Sequence, residues 1–334
     1  MRTSRTGALR LGVDIGGTFT DIVLVDGDGA VLSKKVLSTP RDYSEAIEDG
    51  VAALVREFAI DPARITELVH ATTVATNAII ERKGVRTALL TTRGFGDVLE
   101  LGRFRSPRLY DLGYRKPEPL VTRDLRFEVD ERVSAAGEVL VPVNADELAR
   151  IAKELVRREV QAVAITFINS YANGANELRA AECIASLVPG VSVSTSVKLL
   201  PQIGEYERTS TTVVNAYIRP VIQKYVDSLR RRLDALRIRA PLMIMQSSGG
   251  IAPGSVVAER PIYIIESGPA AGVLGGQRFA RKAGTDDLIV FDMGGTTAKA
   301  TIIEGGRFGL CPETEVGGGA ALGSRMIRGA GYPV

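Results

Sequence analysis

Two acidic residues, Asp14 and Asp292, each stand at the end of an apolar run and just ahead of a Gly-Gly-Thr turn. The first stretch reads Asp14-Ile15-Gly16-Gly17-Thr18-Phe19-Thr20-Asp21. The second, offset by 278 residues from position 14 to position 292, reads Asp292-Met293-Gly294-Gly295-Thr296-Thr297-Ala298-Lys299. Leu11-Gly12-Val13 and Ile289-Val290-Phe291 lead in, and Ile22-Val23-Leu24-Val25 and Thr301-Ile302-Ile303 lead out. Each copy therefore predicts a β-hairpin with a glycine turn and a carboxylate at its rim. Such a turn suits phosphate binding. Paired glycines permit positive φ and bring successive N–H groups to an anion with no Cβ in the way. The hydroxyls of Thr18, Thr20, Thr296 and Thr297 add donors, and Asp14 and Asp292 are placed to hold Mg²⁺ directly or through water. For a single copy, an ordinary hairpin turned by Gly-Gly explains the residues equally well; the duplication favours a nucleotide clamp. No Gly-Lys-Ser/Thr of a Walker loop is present, nor a Gly-x-Gly-x-x-Gly opening a helix after a strand.

The elements that must carry these turns can be read in order. Ser44 to Phe58 puts Ile47, Val51, Leu54, Val55 and Phe58 on one helical face. Ile65 to Val69 is a predicted strand delivering His70, the one histidine of the chain, into Thr72-Thr73-Val74-Ala75-Thr76-Asn77, with a helix running to about Arg82. Val85 to Thr91 predicts a buried strand. Strand, polar turn and helix in sequence would let a ligand meet backbone donors at a helix start. His70 has two readings, a strand-end ring bonded to a neighbouring carbonyl or a group facing substrate. Thr72, Thr73 and Thr76 are either helix caps or ligand contacts.

Leu101 to Val133 interleaves Arg103, Phe104, Arg105, Arg108, Tyr110, Tyr114 and Arg115 with Pro107, Pro117 and Pro119, which suits a substrate-covering loop or a subunit interface. Asn144 followed by Glu147 has capping-box spacing, with Leu148, Ile151 and Leu155 as the buried face. Val160 to Ile168 predicts a central parallel strand, followed by a helix from Glu177 to Leu187 and a strand from Val191 to Thr195. Glu205 and Arg208 are expected as a helix-start ion pair. Ile222, Tyr225, Val226, Leu229, Leu233 and Leu236 form a helical stripe that Pro220 should start or kink, and Arg230-Arg231-Arg232 should face water. Leu242 to Met245 and Ile262 to Ile265 are predicted strands, each ending in a polar glycine turn. The second leads through Glu266-Ser267-Gly268-Pro269 into a helix of small residues, Ala270 to Gly276. Ser267 reads as its N-cap or, with Gly268, as an anion contact. A strand is expected over Phe308 to Val316.

The doubled Asp-x-Gly-Gly-Thr hairpin resembles the phosphate motifs of the actin, sugar-kinase and heat-shock-chaperone ATPase superfamily. More closely, the chain resembles the hydantoinase A and 5-oxoprolinase family, which includes the ATP-binding subunits of acetone and acetophenone carboxylases. The resemblance is carried by Val13 to Asp21, His70 to Ala78, Glu266 to Gly272 and Phe291 to Thr297, and covers almost the whole chain. It implies an α/β, actin-like (ribonuclease H-like) fold, ATP and Mg²⁺, a small cyclic amide or ketone substrate, a B-type partner subunit and an oligomer. It implies residues 1–200 as an N-terminal domain with an inserted region at 100–145, and residues 201–334 as the start of a second domain whose subdomain is incomplete. The chain is expected to lack part of the adenosine site, so that tight Mg²⁺-dependent ATP binding would contradict this expectation. By the same resemblance, the γ-phosphoryl group goes to a substrate carbonyl oxygen before hydrolysis. The alternatives are carboxylation by a ligase subunit and a non-catalytic ATP switch. Gly16, Gly17, Thr18, Thr20, Ser267, Gly268, Gly294, Gly295, Thr296 and Thr297 would hold nucleotide, Asp14 and Asp292 Mg²⁺, and His70 and Thr73 the substrate side. Thr297-Ala298-Lys299-Ala300 departs from the Ser-Thr-Asp-Val of oxoprolinase-like members and leans towards the hydantoin or carboxylase branches.

Composition is that of an ordinary soluble chain with extra turn residues. The 334 residues allow about two domains, and 45% apolar with 24% charged residues is an ordinary profile. A net charge of +3 is too small to argue for nucleic acid or a membrane. No run of about 18 uncharged apolar residues exists, and the basic start is followed at once by Asp14 and the glycines, so a cytoplasmic location is expected. Cys183 and Cys311 form no framework; Cys183 reads as a buried thiol in a reducing compartment.

Overall fold

The structure, a computed structural model, describes residues 7–103, 110–293, 298–317 and 331–334. The chain begins with β1 (Leu9–Ile15), β2 (Phe19–Val25), β3 (Val31–Leu37) and α1 (Tyr43–Glu57). Next come β4 (Ile65–Thr72), α2 (Val74–Ile80), β5 (Thr87–Thr92) and α3 (Val98–Leu101). β6 (Arg126–Val129), β7 (Arg132–Val133), β8 (Val139–Val141), α4 (Ala145–Arg157), β9 (Ala162–Thr166) and α5 (Ala175–Leu187) follow. β10 (Ser192–Thr195) and α6 (Ser196–Leu199) lead to the long α7 (Glu205–Ala235). After it lie β11 (Leu242–Met245), β12 (Ile251–Pro253), α8 (Gly254–Glu259), α9 (Ser267–Ala283), β13 (Leu288–Met293), β14 (Ala298–Ile303), β15 (Glu315–Val316) and β16 (Tyr332–Pro333).

These elements pack as two units that interleave along the chain, residues 1–75 with 222–311 and residues 76–221 with 312–334. The expected 100–145 region contains β6, β7, β8 and a 3-10 turn at Arg123–Leu125, so it holds more regular structure than a loop. Phe104, Arg105, Pro107 and Arg108 lie outside the described residues.

The first unit is built on a six-stranded sheet of order β12-β11-β4-β1-β2-β3. β1, β2 and β3 form an antiparallel meander, β4 runs parallel to both β1 and β11, and β12 returns antiparallel. Alternation in β1 buries Leu9, Leu11, Val13 and Ile15 on one face, as the two-residue period requires. α1 covers this meander through Ala46, Ile47, Val51 and Leu54, while Phe58 falls at its C-cap and is exposed. Asp42 caps α1 by accepting from the Ser44 N–H at 3.0 Å. Arg232 from α7 reaches Asp42 at 3.0 Å, Glu45 at 3.2 Å and Glu48, so the arginine triplet is not simply solvated. Arg230 donates to the Ala240 and Ile238 carbonyls and pairs with Asp234 at 2.8 Å.

The second unit carries an all-parallel sheet, β10-β9-β5-β6. Every residue of β5 and β9 is buried, as strands covered on both faces must be. The core runs through Leu89, Leu90, Val163, Ile165, Phe167, Leu148, Leu155 and Ile184, with Cys183 half-buried against it. Asn144 caps α4 by accepting from the Asp146 and Glu147 N–H groups. Only that half of the capping box is present, because the Glu147 carboxylate accepts instead from the Asp130 N–H. Arg208 does not pair with Glu205. It is 1% exposed and donates to Ser170 Oγ at 2.8 Å and to the Phe167 carbonyl at 2.6 Å. Ser170 in turn donates to Glu177, which also receives the Phe167 and Val197 N–H groups and Ser196 Oγ.

Three expected elements differ. α7 starts 15 residues before Pro220 and continues through it. Val213, Val214, Ala216, Tyr217, Ile218 and Ile222 are all buried around the proline, and this packing offsets a cost of about 3 kcal/mol for the lost hydrogen bond and ring clash. Residues 261–264 form a 3-10 turn rather than a strand, since Pro261 removes a donor and the Tyr263 carbonyl is taken by Ser247 N and Oγ. Of the strand expected over Phe308 to Val316, only β15 forms. The first part of α7 packs closely on the turn after α2. A Cβ at Gly84 would sit 2.2 Å from the Tyr217 ring. Gly84→Ala should therefore destabilise the protein by about 1–3 kcal/mol in urea unfolding; wild-type stability would contradict this packing.

Candidate functional site

The first hairpin pairs Asp14 with Asp21 and Ile15 with Thr20. The second pairs Asp292 with Lys299 and Met293 with Ala298, the same register carried across the offset. In the first turn the Gly16 N–H donates to the Phe19 carbonyl at 2.9 Å. Ser38, which the sequence did not single out, locks this turn: its hydroxyl donates to the Gly16 carbonyl at 2.8 Å and its N–H to the Thr18 carbonyl at 2.9 Å. Thr20 Oγ1 lies 3.0 Å from Ser38 Oγ and is fully buried, so Thr20 braces the turn instead of facing a ligand. Neither Gly16 nor Gly17 has positive φ. The reason for glycine here is space. A Cβ on Gly16 would come within 3.3 Å of the Phe19 carbonyl, and one on Gly17 would stand in open space at the exposed tip. Gly17 and Thr18 thus leave the tip approachable by a ligand. Gly294, Gly295, Thr296 and Thr297 lie outside the described residues.

Asp14 is solvent-accessible at the sheet rim, yet enough protein surrounds it to raise its pKa. Burial is the largest cause, the charges of Asp21 and Asp292 add to it, and Lys35 opposes them. Asp292 therefore acts on Asp14 from the second hairpin. Lys35 pairs with Asp21 at 2.7 Å, and its ammonium lies 5.1 Å from the Phe19 ring centroid. α9 starts beside Asp14: a Cβ on Gly268 would lie 3.8 Å from Asp14 Oδ1 and 3.9 Å from Thr73 Cγ2. The Thr73 hydroxyl donates to the Ile15 carbonyl at 3.2 Å. Asp14, Asp292, Thr73 and Gly268 are thus gathered at one end of the first unit. Among the described residues no three His, Cys, Asp or Glu side chains converge as a metal cage. The carboxylates fit a cation that keeps most of its water, as Mg²⁺ does, more than one stripped of it.

Ser267 is not the N-cap of α9. Glu266 holds that position with φ +64°, a left-handed conformation unusual for glutamate, and pairs with Lys299. Ser267 is buried, donating to the Thr72 carbonyl at 3.1 Å and accepting from the Thr72 N–H at 3.4 Å. Its hydroxyl fastens α9 to β4 and is not offered to an anion. Lys299 was legible only through the duplication, which aligns it with Asp21 and reverses the charge at that position.

His70 is also structural here. It is fully buried in β4, with Nδ1 3.2 Å from the Val13 carbonyl and Nε2 2.6 Å from the Tyr225 hydroxyl. Nδ1 donates to the carbonyl, which leaves Nε2 to accept from the phenol. A ring with both nitrogens engaged and no exposed atom does not reach a substrate. Thr72 Oγ1 accepts from the Val74 N–H at 3.1 Å, the capping reading of that residue.

Comparison with known proteins decides the kinship. The model of the hydantoinase/oxoprolinase N-terminal region matches residues 10–188, and the hydantoinase/oxoprolinase model matches residues 208–331. The chain belongs to the hydantoinase/oxoprolinase family. It is 41% identical over 329 residues to an uncharacterized protein of Methanocaldococcus jannaschii, covering 97% of this chain and 48% of that one. It is 38% identical over 312 residues to the caprolactamase subunit alpha of Pseudomonas jessenii, covering 92% and 45%. A crystal structure of ATP-dependent caprolactamase from that organism superposes with a TM-score of 0.80 at 38% identity, over 88% of this chain and 43% of that chain. Nucleotide-free acetone carboxylase gives a TM-score of 0.82 at 24% identity, over 92% and 45%, a likeness of fold. The mixed α/β fold is that of these two proteins. The chain spans about half the length of the curated relatives it matches. Among the described residues no helix is long and apolar enough to cross a membrane.

Burial lowers the His70 pKa to about 4 despite the opposing bond to Val13. Because the folded value lies below the unfolded one of about 6.5, folding favours the neutral ring. This contribution is complete above about pH 6.5 and is lost as pH falls towards 4, a change on the order of 3 kcal/mol. The chain holds one histidine, so its ring protons are a unique NMR signal. They should keep neutral-imidazole shifts from about pH 8 to about pH 5; a midpoint near 6.5 would contradict the buried position.

Proposed function

We propose that the chain is the ATP-binding part of an ATP-dependent cyclic amidohydrolase with an actin-like, ribonuclease H-like arrangement of duplicated phosphate hairpins. The observation that carries this reading is the pair of hairpins in one register, with the charge of Asp292 acting on Asp14. In this reading the backbone N–H groups at Gly17 and Thr18, with Gly16 braced beneath them, receive phosphate oxygens, and Gly294, Gly295, Thr296 and Thr297 do so from the second turn. Asp14 and Asp292 hold Mg²⁺ through its water shell. The N-terminal turn of α9 at Gly268 adds backbone donors and a positive dipole end. Lys299, paired with Glu266 at the start of α9, adds a cation. Thr73, next to Asp14 and Gly268, is the candidate on the substrate side.

Bound Mg²⁺ would neutralise charge on the transferring phosphoryl group. The protein's task is then positioning, because phosphoryl transfer asks for alignment and electrostatic stabilisation more than for covalent help. The γ-phosphoryl group passes to the amide carbonyl oxygen as ADP leaves. Water adds to the activated carbon, the ring C–N bond breaks as the nitrogen takes a proton, and a second water hydrolyses the resulting acyl phosphate to carboxylate and phosphate. Phosphorylation makes a stable lactam, hydantoin or 5-oxoproline ring hydrolysable because it makes the carbonyl carbon far more electrophilic than an amide's. Identity of 38% to a caprolactamase subunit, against 31% to the acetophenone carboxylase gamma subunit, supports hydrolysis over carboxylation. A B-type partner subunit, an oligomeric assembly and a cytoplasmic location belong to the same proposal.

In the full-length protein assembled with its partner subunit, phosphate release from Mg·ATP should depend on an added lactam or hydantoin. Asp14→Asn should reduce it by about two orders of magnitude or more while leaving the far-UV circular dichroism unchanged. Gly17→Val should weaken ATP binding by filling the open tip. Wild-type turnover in Asp14→Asn, or turnover indifferent to any cyclic amide, would sink the reading.

A further inference from the structure

The second unit contains a cavity of about 490 Å³ that the phosphate hairpins do not use. Its size falls within the range of roughly 300–1,000 Å³ usual for small-molecule sites. One side of the floor is apolar, from Val213 and Val214 of α7, both buried, with Leu99 and Leu120 half-buried beside them. The same helix turns Tyr206 and Glu207 into the cavity, and Glu313 and Glu315 join them. The Glu207 and Glu313 side chains are only 12% and 22% exposed. Both approach one guanidinium, that of Arg103. Negative charge prevails at this end. The Tyr206 phenol is pushed up to about 12, by burial first and then by the Glu315 and Glu207 charges, with Arg103 opposing. The exposed lining carries Glu100 and Glu118 together with Arg115 and Lys116; Glu100 is paired with Arg126 at 3.0 Å and Glu118 with Arg82 at 3.6 Å, cations from outside the lining, which leaves Arg115 and Lys116 as the cationic members there. Lys116 is held by donating to the Leu101 carbonyl at 2.8 Å.

We propose that this cavity is a second small-molecule site, for a compound with an ammonium group, a short methylene body and a carboxylate. The ammonium is taken by the half-buried carboxylates Glu207 and Glu313, the methylenes by Leu99, Leu120, Val213 and Val214, and the carboxylate by Arg115 and Lys116. Hydrolysis of a lactam produces this ω-amino-acid class, so the inference names a ligand related to the proposed reaction. It rests on the cavity alone, and binding is tested without ATP, so its failure would leave the hydrolase reading intact.

The full chain is titrated with 6-aminohexanoate, hexanoate and hexylamine as probes, by calorimetry or by ligand-observed NMR. The zwitterion should bind at least about tenfold more tightly than either singly charged probe, the difference expected for one added charged contact. Glu207→Gln should reduce that preference towards hexanoate-like binding, and Leu99→Trp should abolish binding by filling the apolar side, with circular dichroism confirming that each variant folds. Equal binding of all three probes, no binding of the zwitterion at millimolar concentration, or unchanged binding in both variants would overturn the proposal.

Discussion

A carboxylate at the rim of a sheet, facing two others with no protein cation directly upon it, is the constraint from which the first unit is best understood. Burial opposes the ionisation of Asp14, and Asp21 and Asp292 oppose it further. Lys35 pairs with Asp21 and Lys299 with Glu266, so among the described residues neither lysine forms its ion pair with Asp14. In the proposed reading, a divalent cation with its anionic ligand would relieve this repulsion among carboxylates. The meander, α1 and the buried His70–Tyr225 contact all hold the strand that ends in Asp14. The Ser267–Thr72 contact sets the start of α9 beside the same carboxylate.

Much of this was legible because it repeats. One hairpin of Asp-x-Gly-Gly-Thr is ambiguous, whereas two in one register constrain both the strands and the turns. The central strand at 162–166 was equally clear, being too apolar for anything but a strand buried on both faces. What the duplication could not reveal is which hydroxyls point where. Thr20 and Ser267 have the residue types of ligand donors, yet each is satisfied by a group distant in sequence, Ser38 and Thr72, that no local pattern links to it. His70 was open between two roles for the same reason, and Tyr225, 155 residues away, decides it.

Charges misled in the same way. Arg208 and Glu205 have the spacing of a helix ion pair, but the arginine is buried, where it needs acceptors on several sides. Phe167 and Ser170 supply them while Glu177 supplies the balancing charge nearby. In the arginine triplet of α7, Arg230 has a local partner in Asp234, whereas Arg232 is met across the fold by Asp42, Glu45 and Glu48, which no local pattern reveals. Pro220 and Pro261 make the complementary point. The first is tolerated within a helix packed around it, and the second opens a 3-10 turn where apolar residues alone predict a strand.

The central claim is that the two hairpins act as one clamp on a single Mg·ATP. A double-mutant cycle measures this directly: Mg·ATP affinity of wild type, Asp14→Asn, Asp292→Asn and the double variant. One shared site predicts strongly non-additive losses, with a coupling energy of about 1 kcal/mol or more. Losses that simply add would mean the hairpins bind independently, and would contradict the account.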